Sequence, residues 1–124
     1  MTQEMIGFVD IHGRALITVQ IRASDIAAQH DVQAWIDTGF TGDLVLPQQV
    51  ICDLELPASG TVKATLADGS VVTLERYRCL IDWCGSEREL EVVANSGERT
   101  LLGVSLLIGL DLSISYRTRQ VKIE

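Results

Sequence analysis

The chain has 124 residues, 47% of them hydrophobic, and ten Lys and Arg against seventeen Asp and Glu give a net charge of −7. This length and apolar content predict one domain, residues 1–124, whose core needs neither disulfide nor metal, and they exclude disorder. Clustered cations that could neutralise a phosphate backbone are missing, and no apolar run approaches the ~18 residues that span a bilayer, so neither nucleic acid nor membrane is an expected partner.

Met1-Thr2-Gln3-Glu4 carry no basic segment and no long apolar stretch follows, so no signal peptide is expected. Cys52, Cys79 and Cys84 are an odd number at unrelated spacings. That suits reduced thiols in a cytoplasm. A zinc site from Cys79, Cys84 and His30 is the alternative, but paired C-x-x-C spacing is absent, so the cysteines read as small buried hydrophobes and no metal or other cofactor is expected.

In chain order, Ile6 to Ile11 is a short apolar run ended by His12-Gly13, and Ile17, Val19 and Ile21 then alternate with Thr18, Gln20 and Arg22. This predicts a hairpin with one buried face, His12 serving as a turn residue. Ala23 to His30 lacks a period of two and reads as a loop or one helical turn begun by Ser24. Val32, Ala34 and Ile36 alternate with Gln33 and Trp35, predicting a strand. Asp37-Thr38-Gly39-Phe40-Thr41-Gly42 stops that strand in a tight loop, and Leu44-Val45-Leu46 begins another apolar run. An acid is therefore delivered to a turn at a strand end.

Pro47 suits the first turn of a helix, where its missing N–H is not needed. Val50, Ile51 and Leu54 share one helical face, predicting about two turns before Pro57. Ser59-Gly60 reads as a turn. Thr61 to Ala67 and Ser70 to Tyr77 are β-prone runs joined by Asp68-Gly69, a strong hairpin signal. Arg78 to Trp83 reads as a further strand, and Glu87 to Ala94 as one with Leu90 and Val92 inward. After the loop Asn95-Ser96-Gly97, the run from Thr100 to Gly109 predicts a buried strand passing into a short buried helix. Leu110, Leu112, Ile114 and Tyr116 alternate into a strand, and Val121 to Ile123 forms a terminal one.

Asp37-Thr38-Gly39 at the end of an apolar strand, a following hairpin tipped by Gly69, and Leu101-Leu102-Gly103 running into a short helix together resemble the single-lobe retropepsin-like aspartic proteases. The resemblance covers nearly the whole chain, most specifically Ala34 to Pro47 and Leu101 to Leu107. It implies an all-β, closed barrel-like fold with one or two short helices, working as a homodimer on peptide or protein substrates. It also implies that Asp37 is catalytic, that Thr38 bonds across the dimer and that Gly39 offers backbone to the substrate. Phe40 and Thr41 would border the substrate, Ala67, Asp68 and Gly69 would lie over it as a flap, and Leu102 and Gly103 would support Asp37 from beneath.

Three positions depart from the family pattern. Phe40 stands where Ala or Ser is usual, which reshapes the pocket beside Asp37. Val104 stands where many viral members place Arg, so the ion pair buttressing their loop is absent. The tip Ala67-Asp68-Gly69-Ser70 has one Gly rather than several.

The chemistry explains the dimer. Peptide hydrolysis by this route needs two facing carboxylates sharing a proton, one to take a proton from water and one to polarise the scissile carbonyl. Asp10, Asp31, Asp43, Asp53, Asp68, Asp82 and Asp111 lack the Thr/Ser-Gly context, so the second carboxylate is expected from Asp37 of a symmetry mate. Terminal strands Met5 to Ile11 and Val121 to Ile123 are candidates for the rest of that interface, as edge strands able to pair. The competing readings are a non-catalytic dimerisation or peptide-binding module of the same fold, and a small acidic β-domain with an accidental turn.

Overall fold

The computed structural model describes residues 3–124. Ten strands form one sheet: β1 Met5–Val9, β2 Ala15–Arg22, β3 His30–Ile36, β4 Leu44–Pro47, β5 Ala58–Thr65, β6 Val71–Trp83, β7 Ser86–Asn95, β8 Leu101–Leu102, β9 Leu112–Ser115 and β10 Gln120–Ile123. One helix, α1 Gln48–Leu54, and a 3₁₀ turn, Val104–Leu106, complete the fold. Among the described residues no helix is long and apolar enough to cross a membrane.

Alternation in the sequence becomes burial in the sheet. In β2, Ala15, Ile17, Val19 and Ile21 are buried while Thr18 and Gln20 are exposed. Fully burying each Ile or Val contributes about 1.5–3 kcal/mol, which holds the register of β2 against β3, where Ile17 faces Ala34 and Val19 faces Val32. The β1–β2 turn is closed by Asp10, whose carboxylate accepts the N–H groups of His12 and Arg14, each at 2.9 Å, and pairs with the Arg14 side chain at 2.7 Å. Between β2 and β3, Ala27 donates to the Ser24 carbonyl at 3.2 Å, a single turn begun by Ser24 as expected.

The strand order is β5-β6-β7-β4-β8-β3-β2-β1-β10-β9, and β6 also pairs with β2 through Ile21–Ile81 and Arg22–Leu80. The sheet therefore curls until β6, β7, β4, β8, β3 and β2 form a ring, and the buried residues of those strands pack inside it with Ile51, Leu54 and Leu106. Trp83 fills part of this core, and its indole N–H donates to the Leu106 carbonyl at 3.0 Å, so the polar edge is satisfied.

Five local expectations are corrected. The runs on either side of Arg78 are one strand, β6: the inward set shifts by one residue at Arg76-Tyr77, from Val72 and Leu74 to buried Cys79, Ile81 and Trp83, and the ladder passes from β5 to β7 at those same residues without a break. Ser59-Gly60 is not a turn; Gly60, at φ +121°, sits at a bulge inside β5. Pro47 ends β4 at ψ 142° and precedes the helix rather than lying in its first turn. The segment after Leu102 is 3₁₀, with Leu106 and Leu107 bonding the carbonyls of Gly103 and Val104, three residues back. Finally, β1 and β10 are not edges: β1 lies between β2 and β10, and β10 lies between β1 and β9. Their complementary registers are used within the chain, Met5 facing Ile123 and Phe8 facing Gln120, which leaves β5 and β9 as the edge strands.

Candidate active site

Asp37 is the first residue past β3, and it is still held by the sheet. The N–H of Trp35 donates to the Thr100 carbonyl and that of Asp37 to the Leu102 carbonyl, both at 2.9 Å, extending the parallel ladder between β3 and β8. The loop then closes on itself. Gly39 donates its N–H to Asp37 Oδ1 at 2.9 Å, and Phe40 donates to the Asp37 carbonyl at 3.1 Å. The carboxylate is half-buried, with Oδ1 committed to the loop, while Thr38 and Gly39 are exposed beside it.

β8 is inserted between the two strands that flank the loop. Leu102 faces Ile36 of β3 on one side and Leu44 of β4 on the other, and is fully buried. Gly103 follows, donating its N–H to the Asp43 carbonyl at 2.8 Å, and Val104 donates to the Phe40 carbonyl at 2.8 Å. A Cβ on Gly103 would fall 1.9 Å from the Gly42 carbonyl oxygen, so only glycine allows this approach. The Phe40 ring lies against both glycines: it is 2.7 Å from the Cβ position of Gly103 and 2.6 Å from that of Gly42. Asp37, Thr38, Gly39, Phe40, Thr41, Leu102 and Gly103 are thus brought together. Ala67, Asp68 and Gly69 are not among them; they form the exposed tip of the β5–β6 hairpin.

That tip is internally bonded. Leu66 donates to the Ser70 carbonyl at 2.8 Å, Gly69 donates to the Leu66 carbonyl at 2.9 Å, and Gly69 takes φ +86°. Asp68 Oδ1 accepts the Ser70 hydroxyl at 2.6 Å and its N–H at 2.9 Å, and these donors hold the carboxyl below the usual carboxylate range. Between the hairpin and the loop lies a groove of about 1200 Å³. Its walls are Phe40 and Thr41 on the loop, Val62 and Ala64 on β5, and Leu74 and Arg76 on β6. The lining starts at Gly39, so Asp37 stands at its margin rather than inside it.

One residue of this framework was not visible as such in the sequence. Asp43 begins the return from the loop, and its carboxylate accepts the Glu91 N–H at 3.0 Å through Oδ2 and the Ser105 hydroxyl through Oδ1. It therefore ties the loop to β7 and to the 3₁₀ turn, a brace where Val104 offers no cation. Its only sequence signal is an acid directly before an apolar strand, which is common. Behind it, burial first and the Asp43 charge second push the Cys79 thiol up to about 12, so this cysteine is an inert core residue. Among the described residues no group of three or more His, Cys, Asp or Glu converges as a metal site.

No protein-family model matches the sequence, and no curated protein matches it. Solved structures do match in three dimensions. A retropepsin-like aspartic protease from Rickettsia conorii is similar over 99% of this chain and 91% of its own, with a TM-score of 0.66 at 16% identity. EIAV protease, solved with the inhibitor HBY-793, is similar over 80% of this chain and 89% of its own, with a TM-score of 0.58 at 18% identity. The chain has the retropepsin-like fold.

Proposed function

We propose that residues 1–124 form one aspartic endopeptidase domain that hydrolyses peptide bonds through a water activated by Asp37 and the Asp37 of a second copy. The observation that carries this reading is the carboxylate of Asp37, half-exposed at a strand end, held through its backbone by Leu102 and through Oδ1 by Gly39, at the margin of an open groove. One copy supplies one such acid, and two acids sharing a proton are what the chemistry requires. The fold's likeness to two aspartic proteases supports the assignment. In this reading Thr38 bonds its counterpart across the two-fold axis and Gly39 presents backbone to the peptide. Phe40 and Thr41 border the substrate, Ala67, Asp68 and Gly69 cover it, and Leu102 and Gly103 keep the loop rigid. The residues act without metal or cofactor, and the free thiols of Cys52, Cys79 and Cys84 support a cytoplasmic location.

The free edge of β9 is the best surface for the two-fold contact. Asp111 and Glu124 exchange both backbone bonds, at 2.7 and 3.0 Å, so alternate residues Leu112 and Ile114 turn their N–H and C=O groups away from β10. Pairing of two β9 edges would satisfy them. Exposed Ile108 and Tyr116 flank this strand in sequence. Sedimentation at micromolar concentration should give a dimer, and Ile114→Pro, which removes an outward N–H, should weaken it. Turnover of a peptide library at acidic pH by wild type, and none by Asp37→Asn, tests the activity. Equal cleavage by the two proteins would end the reading.

A further inference from the structure

Trp35 and Asp37 donate their N–H groups to successive carbonyls of the same ladder, so their side chains project from the same face of β3, opposite buried Ala34 and Ile36. Along a strand such neighbours are about 7 Å apart. On this face Trp35 stands in register with Leu16 of β2 and Leu101 of β8. Two guanidinium groups lie over its ring: Arg99 at 5.1 Å and Arg14 at 5.8 Å from the centroid. An indole face attracts cations at this range. Neither the tryptophan nor the two arginines line the large groove.

The two arginines differ in what balances them. Arg14 is paired with Asp10 at 2.7 Å. Arg99 is exposed and makes no ion pair with any carboxylate among the described residues, while its backbone carbonyl accepts the Asn95 side-chain amide at 3.2 Å. In a chain of net charge −7, two cations sharing one aromatic ring beside an acid of the proposed dyad is an arrangement that an anion would complete. A guanidinium presents a planar fork that matches a carboxylate. We propose that Trp35, Arg14 and Arg99 form a subsite for an acidic side chain of the substrate, within about two residues of the scissile bond, given the spacing of Trp35 and Asp37 along β3. This rests on the peptidase reading above and specifies its substrate class. Arg99 binds the Glu or Asp carboxylate, the indole packs on its methylenes, and Arg14 adds charge from the other side.

Matched peptides carrying Glu or Gln at each position around the cleaved bond, assayed at pH 5.5, test it. At one position Glu should raise kcat/KM about tenfold over Gln, as expected for a charge-assisted bond. Arg99→Ala should remove that preference, bringing the Glu:Gln ratio of kcat/KM to about one, and Arg99→Glu should shift it toward Lys. Cleavage with no acidic preference would overturn the subsite and leave the peptidase reading standing. If nothing is cleaved, direct titration of the same peptides decides: tighter binding of the Glu peptide, lost in Arg99→Ala, supports the subsite without the activity. Equal affinities would overturn it.

Discussion

Gly103 donates its N–H to the carbonyl of Asp43 at 2.8 Å, which ties the strand beneath the Asp37 loop to the residue that ends it. The approach leaves no room for a side chain, since a Cβ would meet the Gly42 carbonyl at 1.9 Å and the Phe40 ring at 2.7 Å. Gly103→Ala should therefore destabilise the protein by roughly 3 kcal/mol, at the upper end of overpacking costs. Urea denaturation would read the loss, and a midpoint equal to that of wild type would show that the loop can move aside.

Asp43 braces the same loop with its side chain, accepting from Glu91 at 3.0 Å and from Ser105. Removing a charged acceptor of two bonds should cost about 2 kcal/mol. We expect Asp43→Ala to lose this much, with Asn recovering part of it by keeping one acceptor oxygen. Peptidase activity should fall in the same order, measured well below the melting temperature so that unfolding does not contribute.

The hairpin tip should loosen in acid. The Ser70 hydroxyl and N–H lower the Asp68 pKa in the folded chain. A carboxyl with a depressed folded pKa contributes stability that is present above the unfolded value, ~3.9, and is lost as pH falls through the folded one. Amide exchange at Leu66 to Ser70, corrected for intrinsic rates, should therefore accelerate relative to β3 between pH 5 and pH 2.5. Asp68→Asn should show no such change. Protection that is independent of pH in wild type would remove the carboxylate from this role.

Helix α1 ends on an unusual residue. Glu55 takes φ 54° and donates to the Cys52 carbonyl at 3.1 Å, while Leu56 reaches back to Ile51 at 3.1 Å, a Schellman closure with Glu at the position that favours glycine. A left-handed conformation costs an L residue about 1–2 kcal/mol, and glycine returns about 0.5–1 of this as chain entropy. Glu55→Gly should stabilise the protein by roughly 0.5–1 kcal/mol in denaturant titration, with activity unchanged because the helix end lies outside the loop.

Alternation, turn residues and one acidic motif determined most of the fold, because each is local. Ile17, Val19 and Ile21 can be read as one buried face without knowing what covers them, and Asp37-Thr38-Gly39 can be read as a strand ending in an acid. Leu101-Leu102-Gly103 was legible for the same reason: two apolar residues before a glycine mark a buried strand and a close approach. What only the tertiary structure decided is who pairs with whom. The terminal strands looked like free edges, yet they close on each other and leave β9 outermost, since strand pairing depends on registers more than a hundred residues apart. Asp43 looked like any acid in a loop until Ser105 and Glu91 were brought to it. Trp35, Arg14 and Arg99 are likewise far apart in sequence, and meet only because β3 runs between β2 and β8. A side chain's chemistry is written in its residue type, but its partners are set by long-range packing, which no short window of sequence contains.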